Sequence, residues 1–270
     1  MDDARSFTVI GPGRVGLALV RALLASGFRC VAIRGRSRPR EDAIRDLPPS
    51  AVIDTWDTPA RWEPPPVVFL TVADSSLDDA ARQLADTMPL SGRCVLHTSG
   101  LHGSDLLDPC MRAGAKTASW HPLQSFASHA TAETWRGVAC AVEGHPLAVA
   151  EGYRVARAIG MRPWTIAAED KPLYHAAAAV AGNLPHILIA VAREMMSSCG
   201  APDGSLAPLA QESIRSALLH PSFEGLTGAI DRGDVAAVAR HLAALPAPLS
   251  QAYEALASLV RPDLATSWRD

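Results

Sequence analysis

The chain has 270 residues, 48% of them apolar, and a formal net charge of −3. That length allows one large domain or two smaller ones around a substantial core. The slightly negative balance argues against a general role on nucleic acid or an anionic membrane. The cysteines at 30, 94, 110, 140 and 199 are scattered without a C-x-x-C pair. Neither a disulfide framework nor a metal site is signalled, and reduced thiols in a cytoplasmic protein are expected. The acidic, polar start MDDARS does not read as a secretory signal. The most apolar stretch, Ala176 to Ala192, is interrupted by Gly182, Asn183, Pro185 and His186, so no membrane span is expected.

The first predicted strand runs from Phe7 into Gly11-Pro12-Gly13-Arg14-Val15-Gly16, and an amphipathic helix closed by Gly27 follows. A strand, a G-x-G-x-x-G turn and a helix in that order are the context of a dinucleotide pyrophosphate site. Gly11 makes the tight turn, Gly13 lets the phosphates approach the backbone, and Gly16 lets helix and strand pack closely. The helix N-terminus then offers unpaired N–H groups and a partial positive charge.

Cys30 to Ile33 is the second strand, followed by Arg34, Arg36, Ser37, Arg38 and Arg40. An NAD site would carry an acid here for the ribose 2′-hydroxyl; guanidinium groups instead suit a 2′-phosphate. NADP(H) is therefore the expected cofactor. Arg36 and Ser37 form the best pair, with Arg34 or Arg38 flanking. After a weak strand (Ala51 to Ile53) and a proline connector, the continuous apolar run Val67 to Val72 reads as a strand buried on both faces. Val72, Ala73 and Asp74 at its carboxyl end belong on the ligand side of the sheet.

A helix (Leu77 to Thr87), a strand (Cys94 to His97), a helix (Gly103 to Ala113) and a strand (Lys116 to Trp120) come next. Two further strands, Val138 to Val142 and Arg162 to Ile166, flank a helix from Pro146 to Ile159. Ser99 stands in His97-Thr98-Ser99-Gly100, after one strand; His121 stands in His121-Pro122, after the next. His121 can act as acid, base or hydrogen-bond donor near neutral pH. For Ser99 two readings stand: orienting a substrate beside the nicotinamide, or capping the local turn.

Near Ala167 the pattern becomes wholly helical, with further helices at Ala207 to Leu219, Asp234 to Ala244 and Leu249 to Leu259. The long helix after Asp170 carries His175, Gly182, Asn183 and His186 at i, i+7, i+8 and i+11, with Lys171 one turn earlier. A polar stripe on so apolar a helix needs a polar neighbour, and Pro185 predicts a kink. The expected architecture is an α/β doubly wound parallel sheet over residues 1–165, then an all-α domain over 166–270. The expected activity is NADP(H)-dependent hydride transfer on a small carbonyl, imine or alcohol, with His121, Ser99, Lys171, His175 and Asn183 as site residues. A non-catalytic NADP(H)-binding sensor or regulatory module is the alternative.

The glycine motif, Gly35 to Ser37, HPLQSF at His121 to Phe126, K-x-x-Y-H-x-A-A from Lys171 with downstream Asn183, and HL-x-x-L at His241 to Leu245 resemble a bacterial family. It joins a Rossmann-like NADP-binding domain to a C-terminal helical domain of unknown function. More distantly the chain is similar to pyrroline-5-carboxylate reductases, F420-dependent NADP reductases and prephenate dehydrogenases. The resemblance implies a C-terminal domain like that of 6-phosphogluconate dehydrogenase, and a homodimer through the helical domain. Ser99 and His121 match the serine and the H-P histidine that contact substrate in prephenate dehydrogenases. The arginines that bind prephenate carboxylates have no clear counterpart here.

Overall fold

The computed structural model describes residues 5–48, 50–127 and 129–268. Two compact units divide the chain at Pro185/His186, later than the composition change near residue 166.

The first unit is built on one sheet of eight strands in the order β3-β2-β1-β4-β5-β6-β7-β8. These are β1 (Ser6–Ile10), β2 (Arg29–Gly35), β3 (Val52–Thr55), β4 (Val67–Leu70), β5 (Cys94–His97), β6 (Lys116–Pro122), β7 (Ala139–Gly144) and β8 (Arg162–Thr165). β1 to β6 pair in parallel; β7 is antiparallel to β6, and β8 parallel to β7. The expected doubly wound parallel sheet is present, with one antiparallel pairing, β6 with β7, toward its edge. Among the described residues between β6 and β7 the regular structure is a 3-10 turn, Ala132–Trp135. Without a crossover helix the chain cannot return to the starting end of the sheet.

β4, VVFL, is buried throughout and shows why the run lacks polar residues. Val67 and Phe69 enter a core with Phe7, Leu19, Leu23 and Trp120, under α1 (Arg14–Ala25) and α5 (Pro146–Ala158). Val68 and Leu70 enter the opposite core with Leu84, Val95 and Leu107, under α3 (Leu77–Thr87). Alternate side chains of a parallel strand meet apolar helices on both faces. Two further helices of this unit are short: α2 (Glu41–Ile44) and α4 (Asp108–Arg112). The helix expected over 103–113 is a 3-10 turn at Ser104–Leu107 followed by α4.

α6 (Lys171–Ser198) runs through the division between the units. Gly182, Asn183, Pro185 and His186 do not break it. By length and composition only, Ala168–Ser198 is long and apolar enough to cross a membrane, a test that the apolar helix of a soluble protein also passes. A proline loses one backbone hydrogen bond but leaves the flanking turns intact. The second unit continues with α7 (Ala207–Leu219), α8 (Ala229–Arg232), α9 (Val235–Ala244) and α10 (Ala247–Val260). Its small core is Val238, Leu242, Ala257 and Trp268.

Candidate active site

The glycine turn leaves β1 with Gly11 at φ +104°, a conformation that favours glycine. A Cβ on Gly16 would collide with the Gly11 carbonyl and the Thr71 hydroxyl. Thr71 Oγ1 donates to the Gly11 carbonyl at 2.6 Å, so β4 clamps the turn from beside it. Gly13 is exposed, and a Cβ there would meet nothing within 4 Å. It caps α1 without a side-chain hydrogen bond, so the first helical N–H groups stay available to an anion. Arg14 is exposed, Pro12 and Val15 are half-buried. Val72 Cγ1 lies close to Gly11, while Ala73 and Asp74 beyond it are exposed.

The arginines after β2 separate into two roles. Arg34, at 2% exposure, turns inward: Nη1 lies 3.3 Å from Asp54 Oδ2, and Nη2 donates to the Thr58 carbonyl at 2.6 Å. Its guanidinium also stacks 4.6 Å from the Trp56 ring. Arg34 is thus not placed to flank a 2′-phosphate, and that expectation is corrected; the strand pleat points it at β3. Arg36, Ser37 and Arg38 are exposed. The preceding Gly35 packs on the Pro12 ring, where a Cβ would come within 2.7 Å. The basic turn therefore sits beside the glycine turn.

At the carboxyl ends of β5 and β6 a second group assembles. A Cβ on Gly100 would lie 2.6 Å from His175 Nδ1 and 2.7 Å from His121 Nε2. Only glycine lets both imidazoles converge there. His121 Nδ1 is 2.7 Å from the Tyr174 hydroxyl, and the rings meet edge to face at 5.4 Å. His175 Nδ1 is buried without a hydrogen-bond partner, an uncommon state for a buried polar atom outside a ligand site. Burial, helped by the charge of Lys171, pulls the His121 imidazole down to about 4. His121 is accordingly neutral near pH 7.

Lys171 is fully buried. Its Nζ donates to Ser119 Oγ at 2.7 Å and to the Ser99 carbonyl at 3.2 Å. Burial lowers its pKa, opposed by Glu143 and Asp74. Lys171 therefore supports the strand ends from behind and does not reach the cavity, which corrects its place among residues lining the substrate. Ser99 Oγ accepts from the Leu101 and His102 N–H groups at 3.3 and 3.1 Å: the turn-capping reading is realised. His97 is fully buried, with Nε2 2.9 Å from the Gly103 carbonyl and Nδ1 accepting from Ser99 N–H at 3.1 Å. It shapes the Ser99 turn.

His121, Gln124, Ser125, Tyr174, His175 and Asn183 contribute to a cavity of about 530 Å³ floored by alanines of α6. Asn183 and Gly182 border it and are exposed; His186 belongs to the second unit. Sequence reasoning quoted Tyr174 and Gly100 within motifs without giving either a role. The available signal was the i, i+3 spacing of Lys171 and Tyr174, which puts both on one helix face.

No curated protein sequence matches the chain. Among solved structures, a Bacteroides fragilis protein provisionally named an NADP oxidoreductase is 20% identical with a TM-score of 0.80, over 96% of this chain and 99% of that one. An imine reductase of Streptomyces aurantiacus is 16% identical, with a TM-score of 0.63 over 98% and 96% of the two chains. The prephenate dehydrogenase of Aquifex aeolicus, solved with hydroxyphenyl propionate and NAD+, is 15% identical, with a TM-score of 0.55 over 79% of each. At these identities the likeness establishes the fold. Residues 2–122 match the model of a Rossmann-like domain, and residues 138–260 match that of a domain of unknown function, DUF2520. The chain couples a Rossmann-like domain to a DUF2520 domain.

Proposed function

We propose that the protein is an NADP(H)-dependent oxidoreductase acting on a small carbonyl, imine or alcohol. The observation that carries this reading is the pair of imidazoles over Gly100, at the same carboxyl edge of the sheet as the open glycine turn. Ligands of open α/β sheets bind at that edge. The exposed Gly13 backbone and the uncapped start of α1 fit a pyrophosphate, and Arg36, Ser37 and Arg38 fit the 2′-phosphate. The names of the similar structures, an NADP oxidoreductase and an imine reductase among them, agree with it.

The dihydronicotinamide, when bound, supplies a hydride to the carbonyl or imine carbon. The π pair moves onto oxygen or nitrogen, which takes up one proton. When the Tyr174 hydroxyl donates to Nδ1, the imidazole proton of His121 sits on Nε2, facing Gly100. A neutral imidazole in that tautomer donates a hydrogen bond to the developing anion, and the proton itself arrives from solvent through the cavity. His175 Nδ1 is the second polar atom over the same point. Asn183 borders the outer cavity, and Ser99 holds the turn between β5 and Gly100.

Fluorescence titration with NADPH and NADH tests the cofactor assignment. Saturable binding that favours NADPH by about tenfold or more is expected; equal affinities would sink the arginine argument. Turnover is tested with a carbonyl and imine panel, where His121→Asn should bind NADPH normally and lose most activity. Undiminished turnover would remove His121 from the chemistry, and binding without turnover of any compound would favour the sensor reading. The free state of all five cysteines is in keeping with a cytoplasmic protein.

We also propose that the chain is a homodimer through its helical part. Leu209 (65% exposed), Leu218 (82%), Leu219 (63%) and Leu259 (66%) are apolar side chains of the second unit open to solvent, surface that a second copy could cover. Light scattering after size exclusion should give twice the chain mass. Partition of the chain into lipid vesicles would overturn the dimer in favour of a membrane.

A further inference from the structure

The wall of the α6 cavity has a chemical character that bears on what it accepts. Among the described residues that line it, none is Asp, Glu, Lys or Arg. The polar groups are an amide on Gln124, an amide on Asn183, the hydroxyls of Ser125 and Tyr174, and the two imidazoles. The remaining surface is Leu123, Gly182 and the methyl groups of Ala177, Ala178, Ala179 and Ala181. Lys171 is fully buried, and two of its N–H bonds are directed at Ser119 Oγ and the Ser99 carbonyl. No lining side chain can form the paired, charge-assisted bonds that a carboxylate or phosphate needs on leaving water.

We infer that this cavity selects an uncharged carbonyl or imine compound, with an apolar ring or chain against the alanine floor and hydroxyl or amide groups toward Gln124, Ser125 and Asn183. The reacting group rests on the oxidoreductase reading; the charge selection rests on the wall alone. The buried, partnerless His175 Nδ1 over Gly100 gives the polar end of such a compound a fixed point. The volume, about 530 Å³, is that of an ordinary small-molecule site. Dicarboxylic substrates of the prephenate kind do not fit a wall of this composition.

The test is a matched panel in which each ketone or cyclic imine is offered as a carboxamide, a carboxylate and an ammonium derivative. Binding to the NADPH-loaded protein is read by saturation-transfer NMR, and kcat/KM is read on the same compounds. Carboxamides are expected to bind and react roughly tenfold or more better than their carboxylates. Asn183→Lys should shift that preference toward carboxylates. Equal or tighter binding of carboxylates by the unmodified protein would overturn the inference, as would failure of every uncharged compound to bind. Charge-selective binding without turnover of any bound compound would keep the inference and sink the oxidoreductase reading.

Discussion

The Tyr174 hydroxyl lies 2.7 Å from His121 Nδ1, joining the first turn of α6 to the end of β6. Burial pushes the Tyr174 phenol further above its ordinary range, so it stays protonated and holds the imidazole in place. Tyr174→Phe keeps the ring contact and removes the bond. The expected result is about a tenfold loss in kcat/KM, or ~1.4 kcal/mol, with NADPH affinity unchanged. An unchanged kcat/KM would show that His121 is oriented by packing alone.

Gly13 and Gly16 should respond oppositely to the same substitution. Gly16→Ala drives a methyl group into the Gly11 carbonyl and Thr71, so lower thermal stability and loss of NADPH binding are expected together. Gly13→Ala meets no protein atom. Its melting temperature should match that of the unmodified protein, while NADPH affinity falls. Melting curves with and without NADPH distinguish the two, and an unaltered affinity in Gly13→Ala would mean that the phosphates do not approach this backbone.

The arginines after β2 give a second contrast. Arg34→Ala removes a buried guanidinium from beside Asp54, Trp56 and the Thr58 carbonyl, so a loss of about 1–3 kcal/mol is expected. Urea unfolding reads that loss directly. Arg36→Ala and Arg38→Ala lie on the exposed turn, and should lower NADPH affinity while leaving NADH affinity and stability alone.

Two histidines couple stability to pH. Burial holds both His97 and His121 down to about 4, against 6.5 for an exposed imidazole. Above 6.5 both are neutral folded or unfolded. Between 6.5 and about 4 the unfolded chain binds their protons and the folded chain does not, so stability falls as pH falls through that window. For the fully buried His97 the loss is on the order of 3 kcal/mol by pH 4. Urea midpoints at pH 7 and pH 5 measure it; equal midpoints would contradict the assignment.

The glycine turn was legible because its constraints are local: a tight turn, a close approach and a helix start all lie within a few residues. Ser99 and His121 were legible as strand ends, since β5 is a short apolar run and β6 a short extended segment that leads into His121-Pro122. Arg34 was misread because the face a strand residue takes depends on the pleat and on its neighbour, and Asp54 is twenty positions away in sequence. The antiparallel β7 was hidden because strand direction is set by connection length and not by strand composition. Gly100 escaped notice because its reason for being glycine comes from His121 and His175, on two other elements.

Lys171 can be viewed as a locating pin. Its ammonium engages acceptors from β5 and β6 at once, on Ser99 and Ser119. Tyr174 and His175 follow three and four residues later, about one helical turn on. Fixing the first residue of α6 on the sheet therefore sets both the rotation and the axial position of that turn. A slip of one residue would turn the helix by about 100° and carry both rings away from Gly100. The placement of the two imidazoles over Gly100 is in this sense calibrated by a buried lysine that does not line the cavity.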